Sequence, residues 1–109
     1  MGETNTVNLT VNKNYKQIIT DNITATPQSK VKIRAKIVDI ENNTVTVNTK
    51  VNIKINQQTI TDMNVTDGII DYDYTLPETL RQGTYNLLIQ AGETSGYYHA
   101  TTITHLKVE

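Results

Sequence analysis

Along residues 67–91, DGIIDYDYTLPETLRQGTYNLLIQA, apolar side chains twice fall on alternate positions: Ile70, Tyr72, Tyr74 and Leu76, then Tyr85, Leu87, Ile89 and Ala91. Successive residues of a strand point to opposite faces, so each run forms one apolar row, with Asp71, Asp73, Asn86 and Gln90 on the other side. Two half-buried strands need a common core. The linker from Pro77 to Gly83 is too long for a tight hairpin and predicts a crossing from one sheet to a second, with a single helical turn after Leu76-Pro77. An antiparallel sandwich follows from that crossing.

The same period runs through the rest of the chain. Val7, Leu9 and Val11 predict a first strand over residues 6–12, and Lys13, Asn14, Tyr15 and Lys16 interrupt the signal before Ile18 and Ile19 resume it. Residues 22–26 predict a short edge strand ended by Pro27, which removes a ladder donor, and Pro27-Gln28-Ser29 turns the chain. Over residues 29–40, Val31, Ile33, Ala35 and Ile37 face in, while Lys32, Arg34, Lys36 and Val38 face out. Glu41-Asn42-Asn43-Thr44 is turn chemistry. Val51, Ile53 and Ile55 mark the next strand, Gln57-Gln58 a polar turn, and residues 63–65 a short strand. Asp67-Gly68 predicts a tight hairpin into residues 69–76, because both residues tolerate left-handed backbone. The last strand, residues 98–108, is expected to alternate through Tyr98, Thr101, Ile103 and His105. About seven to nine short strands with turns at regular spacing predict an all-β, immunoglobulin-like Greek-key sandwich.

Length and charge narrow the classes. A chain of 109 residues is one domain that buries roughly 65% of its unfolded surface. Cysteine is absent, which excludes disulfides, thiolate metal sites and a cysteine nucleophile. Lys+Arg number 10 against 11 Asp+Glu, so nothing electrostatic points to nucleic acid or an anionic membrane. Lys30, Lys32, Arg34 and Lys36 recur at period two and read as the solvated outer row of a strand rather than a polyanion site. Tyrosine supplies every aromatic, and threonine and asparagine are abundant, a composition suited to pleated half-wet surfaces and turns. No apolar run is long enough to span a bilayer. The opening MGETNTVNLT has no basic or apolar leader region, so targeting and anchoring segments are expected beyond this sequence.

Residues 27–39 (PQSKVKIRAKIVD), 49–60 (TKVNIKINQQTI), 75–91 (TLPETLRQGTYNLLIQA) and 92–98 resemble successive strands of the immunoglobulin-like repeats of large bacterial and archaeal adhesin-like surface proteins. The pattern is most similar to repeats of methanogenic archaea and covers roughly residues 20–108. Gln57-Gln58 departs from it where the family often has glycine, which implies a longer turn, residues 42–48 lack the usual glycine and proline, and residues 12–20 have no counterpart. Residues 1–20 are therefore read as an N-terminal strand with an insertion or inter-repeat linker, in the same domain as the sandwich of residues 21–109.

Few residues offer chemistry. Tyr85, after Gly83-Thr84, is similar to a tyrosine corner, whose hydroxyl bonds the backbone across the crossover, and Pro77, Gly83, Asp67 and Gly68 are structural candidates beside it. Asp67, Asp71 and Asp73 are the weak metal candidates, since calcium takes six to eight oxygens, but no Asp-x-Asp-x-Asp-Gly loop accompanies them and a solvated face is the preferred reading. His99 and His105 lack a third ligand at zinc spacing and a nucleophile to activate. An isopeptide bond finds no asparagine in the last strand. Asn8, Asn22, Asn42 and Asn64 open sequons, most of them expected by chance in so Asn- and Thr-rich a chain. The loop over residues 92–99 is the expected contact surface, with Tyr97 as ligand contact and Tyr98 lidding the core.

No catalytic residue and no cofactor is expected. The resemblance implies a non-catalytic, extracellular stalk or spacer module with neighbouring immunoglobulin-like repeats in the same chain as partners, and a surface protein or glycan as a further partner. The alternatives are a carbohydrate- or protein-binding module and an accessory sandwich domain of a secreted enzyme or phage structural protein.

Overall fold

The computed structural model describes residues 13–109, so the strand expected over residues 6–12 lies outside the described residues. Eight strands follow in order: β1 (Lys16–Thr20), β2 (Ile23–Ala25), β3 (Lys30–Asp39), β4 (Thr49–Ile55), β5 (Gln58–Val65), β6 (Ile69–Thr75), β7 (Gly83–Ala91) and β8 (Ala100–Val108). A three-stranded sheet has the order β1-β3-β6, and a five-stranded sheet the order β2-β8-β7-β4-β5. β2 runs parallel to β8; the other strand pairings are antiparallel. The expected immunoglobulin-like sandwich is the fold.

Alternation builds the core. Ile33, Ile37 and Ile70 of the smaller sheet and Ile53, Leu87 and Ile89 of the larger one are all 0% exposed. Burying each such side chain stabilises the fold by about 1.5–3 kcal/mol. The crossing from β6 to β7 joins the two sheets, as the Pro77–Gly83 linker predicts, and it contains a turn closed by Leu80 N donating to Pro77 O (3.0 Å) rather than a helical turn. β1 and β2 divide one stretch of chain between the sheets, β1 bonding to β3 and β2 to β8.

Five expectations need correction. Asp67-Gly68 joins no hairpin: β5 and β6 lie in different sheets, and β6 pairs with β3 instead. The glycine serves close approach. Gly68 has φ 72, and a Cβ there would sit 2.2 Å from Thr44 Cγ2 and 2.6 Å from the Val45 carbonyl oxygen. The tight hairpin is at Asn56-Gln57, where φ values of 48 and 72 give a two-residue turn and pair Ile55 with Gln58, so the turn is no longer than in a glycine-bearing hairpin. β5 consequently spans the whole of residues 58–65 rather than its last three. Val38 is 1% exposed rather than outward, at the point where the chain folds back along β3 and Thr44 bridges it. In β8 the parity is reversed: Ala100, Thr104, Leu106 and Val108 are buried and Ile103 is 61% exposed. A one-residue slip that buried Ile103 would expose both Leu106 and Val108, so those two set the register.

Turn chemistry elsewhere follows the sequence. Pro27-Gln28 forms the turn before β3, with Gln28 at φ 61 and Ser29 N donating to Thr26 O (3.3 Å). After β3, Asp39 Oδ1 accepts the amides of Glu41 and Asn43 (2.9 Å each), while Asn42 takes φ 67. Gly68→Ala is expected to lower stability by at least about 2 kcal/mol, since the left-handed backbone costs an L-residue roughly 1–2 kcal/mol before any clash is counted. Urea unfolding measures this; an unchanged midpoint would refute the close-approach role.

Candidate functional site

The best-organised surface feature is the end of the sandwich formed by residues 92–99 and the residues entering β1. Gly92 N donates to the Lys50 carbonyl (2.8 Å), and a small turn is closed by Thr94 N to Tyr97 O (2.9 Å) and Tyr97 N to Thr94 Oγ1 (3.2 Å). Asn14 N donates to Gly96 O (2.9 Å) and Tyr98 N to Asn14 O (3.0 Å), which lays the entering chain alongside the loop.

Lys16 sits on the inner row of β1 and is 7% exposed. Its Nζ donates to the Gly92 carbonyl (2.6 Å) and lies 5.9 Å from the centre of the Tyr97 ring. Burial lowers its pKa below the ordinary lysine value, and the nearby Glu93 carboxylate partly offsets that. Glu93 is paired with Lys13, and that hydrogen bond and charge hold its carboxyl below the usual range. Sequence reasoning took residues 13–16 as an interruption. The available signal was parity: Lys16 shares the inward row of Ile18 and Thr20.

The two neighbouring tyrosines are placed the other way round from expectation. Tyr97 is half-buried and packs on the core beneath the Lys16 ammonium, as a cation over an aromatic face favours. Tyr98 is 37% exposed and pairs instead with Tyr15, which is 67% exposed, at a ring-centre separation of 5.0 Å. Tyr15 was not singled out from the sequence.

The acidic candidates do not converge. Asp67 Oδ1 accepts the Ile69 amide (3.0 Å) within its own turn. Asp71 and Asp73 lie on the outer face of the smaller sheet, 3.3 and 3.2 Å from Lys32 Nζ, with Arg34 Nε 4.0 Å from Asp71. Hydrogen bonds to Asp73 and Asp71 raise the Lys32 pKa. The register pairs Lys32 with Asp73 and Arg34 with Asp71, so this is a cross-strand charge ladder. Among the described residues no three His, Cys, Asp or Glu side chains come together as a metal site would require. His99 and His105 are both exposed.

Tyr85 lies at the start of β7. Its hydroxyl donates to the Arg81 carbonyl (2.6 Å), tying the crossover to the strand it feeds. The ring lies 3.9 Å from where a Cβ on Gly83 would stand, and Gly83 has φ 152, a conformation that glycine alone adopts readily. Asn56 braces the opposite hairpin, its Oδ1 accepting the Asn86 amide (3.0 Å).

Neither a family model nor a curated protein matches the sequence. Among solved structures, the fold is similar to the CARDB domain of a Pyrococcus furiosus protein, crystallised in complex with di-metal ions. The TM-score is 0.54 at 14% identity, over 86% of this chain and 92% of that one. The likeness is one of fold. Within that fold the Tyr85 hydroxyl is a discrete stabilising contact. Tyr85→Phe is expected to lose about 1 kcal/mol and to lower the melting temperature by roughly 4–8 °C; calorimetric scans showing no shift would count against it.

Proposed function

We propose that this chain is a non-catalytic immunoglobulin-like module of an adhesin-like cell-surface protein, working as a stalk or spacer repeat between neighbouring modules. The observation that supports the reading best is the placement of the two ends of the described residues. The described chain enters beside residues 92–97, where Asn14 bonds Gly96 and Tyr98, and leaves beside the turn at Pro27, where Glu109 N donates to Ala25 O (2.8 Å). These lie at opposite ends of β8, an arrangement suited to copies joined in line. The sequence resemblance to surface repeats agrees with this, and Lys32, Arg34, Asp71 and Asp73 of the smaller sheet are paired with one another on its outer face rather than gathered into a pocket that could hold an acid–base pair.

An antibody raised against the domain is expected to label intact cells of the source organism. Labelling only after the cells are broken would overturn the surface assignment.

A second reading, a carbohydrate- or protein-binding module, is favoured by the exposed Tyr15–Tyr98 pair, whose adjacent ring faces offer contact area at low entropy cost. On that reading a glycan or cell-surface protein array gives a signal that Tyr98→Ala abolishes. No signal on either array, or one indifferent to the substitution, removes this reading.

A further inference from the structure

We infer that β5, the free edge of the larger sheet, pairs with the same strand of a second copy of the chain, antiparallel across a two-fold axis at Met63, so that the two larger sheets become one. The inference concerns side-by-side association and does not depend on the stalk reading.

The flank of the sandwich that carries β5 is its open one. On the opposite flank the chain itself passes from β1 in the smaller sheet to β2 in the larger, which closes that side. Here β5 and β6 are the last strands of their sheets, and among the described residues no strand pairs with the outer side of either. Ile60 and Met63 of one and Tyr72 and Tyr74 of the other pack against the core yet stay only partly buried.

The ladder shows which backbone groups of β5 are unbonded. Gly92 N donates to the Lys50 carbonyl (2.8 Å), so Lys50 turns its backbone polar groups toward β7. Those groups alternate in direction along a strand, so Val51 turns its own toward β5, where its partner is Met63. Asp62 and Asn64, on either side of Met63, therefore turn their N–H and C=O groups away from β4, and both residues are exposed. A second strand can bond only in a register that opposes such outward-facing residues. Centred on Met63, the pairing sets Asp62 against Asn64 of the second copy and Asn64 against its Asp62, and Met63 faces its own counterpart over the partly covered core. Asp62 is the one charged residue of β5, bonded to the Asn52 amide in its own sheet, and this register places it opposite a carboxamide.

The other edges lack this self-complementarity. Ile37 N donates to the Gly68 carbonyl (2.8 Å) and Leu76 N to the Ser29 carbonyl (2.9 Å), so Ile69, Asp71, Asp73 and Thr75 are the outward-facing residues of β6. Pairing the middle of β6 with itself sets carboxylate against carboxylate, which is destabilising. β1 and β2 are five and three residues long and lie on the closed flank.

The chain is expected to dimerise reversibly in sedimentation-equilibrium runs at concentrations up to about 1 mM. A chain that stays monomeric over that range would overturn the inference and leave the edge to an extended segment of a different protein. Asn64→Asp opposes carboxylates in both symmetric pairs and is expected to weaken the dimer about ten-fold, whereas Asn64→Lys sets an ammonium against Asp62 and is expected to tighten it at low salt. A dimer indifferent to both substitutions uses another surface and would equally overturn the inference. The chain has no cysteine of its own, so Met63→Cys introduces a single thiol. Mild oxidation is expected to link two copies through it, because directly opposed strand residues bring their Cα atoms within disulfide reach. Thr101→Cys, exposed on β8, is the control expected not to link; equal linking of the two variants, or none at Met63→Cys, would overturn the register and the inference with it.

Discussion

Two sheets of unequal width share one apolar interior, and that shared interior constrains everything else in the fold. Every strand that contributes a row to it must keep strict alternation and must approach the layer from the correct side. Ile33 and Ile37 from one sheet, and Ile53, Leu87 and Ile89 from the other, meet this demand with no exposure at all. The connections adapt to it. Among the described strands the chain changes sheets between β1 and β2, β2 and β3, β3 and β4, β5 and β6, and β6 and β7. At three of these changes, β1 to β2, β5 to β6 and β6 to β7, a specific device supports the passage: the Asn22 contacts with Thr104 and His105, the Gly68 approach and the Tyr85 hydroxyl.

The sequence made the layer architecture legible because period-two rows are a direct consequence of strand geometry. Residues 29–40 and 67–91 carry four-residue apolar rows, and both became strands with the expected inward faces apart from Val38. Where the reading failed, two local signals competed. Asp67-Gly68 has the chemistry of a hairpin, yet its partner strand is chosen by the burial of Ile70 and Tyr72 against β3, a long-range matter that no dipeptide encodes. In β8, Thr, His and Lys are interleaved so that Ile103 looks inward until Leu106 and Val108 are weighed with it. Asn56-Gln57 lacks glycine, and only the reciprocal bonding of Asn56 to Asn86 explains why the turn is tight.

The end beside residues 92–99 was legible only in part. A loop rich in glycine and tyrosine is expected from the sequence to be a contact surface, but which tyrosine faces water goes with Lys16, a residue 76 positions away from its carbonyl partner. A lysine on an inward row is a rare feature that composition hides and parity reveals. Likewise the charge ladder of Lys32, Arg34, Asp71 and Asp73 could be suspected strand by strand, whereas its neutralising pairing required the register.

Gln28, Asn42, Asn56 and Gln57 all hold backbone of the left-handed kind without being glycine. Asparagine tolerates this through its short amide, but for a glutamine the conformation carries a cost of order 1–2 kcal/mol with no evident compensation. The domain has therefore been left below the stability its own topology permits. Such slack is what mutation and selection leave behind when a fold needs only to clear a threshold. Relatives from hotter habitats would be the place to see glycine take over at positions 28 and 57.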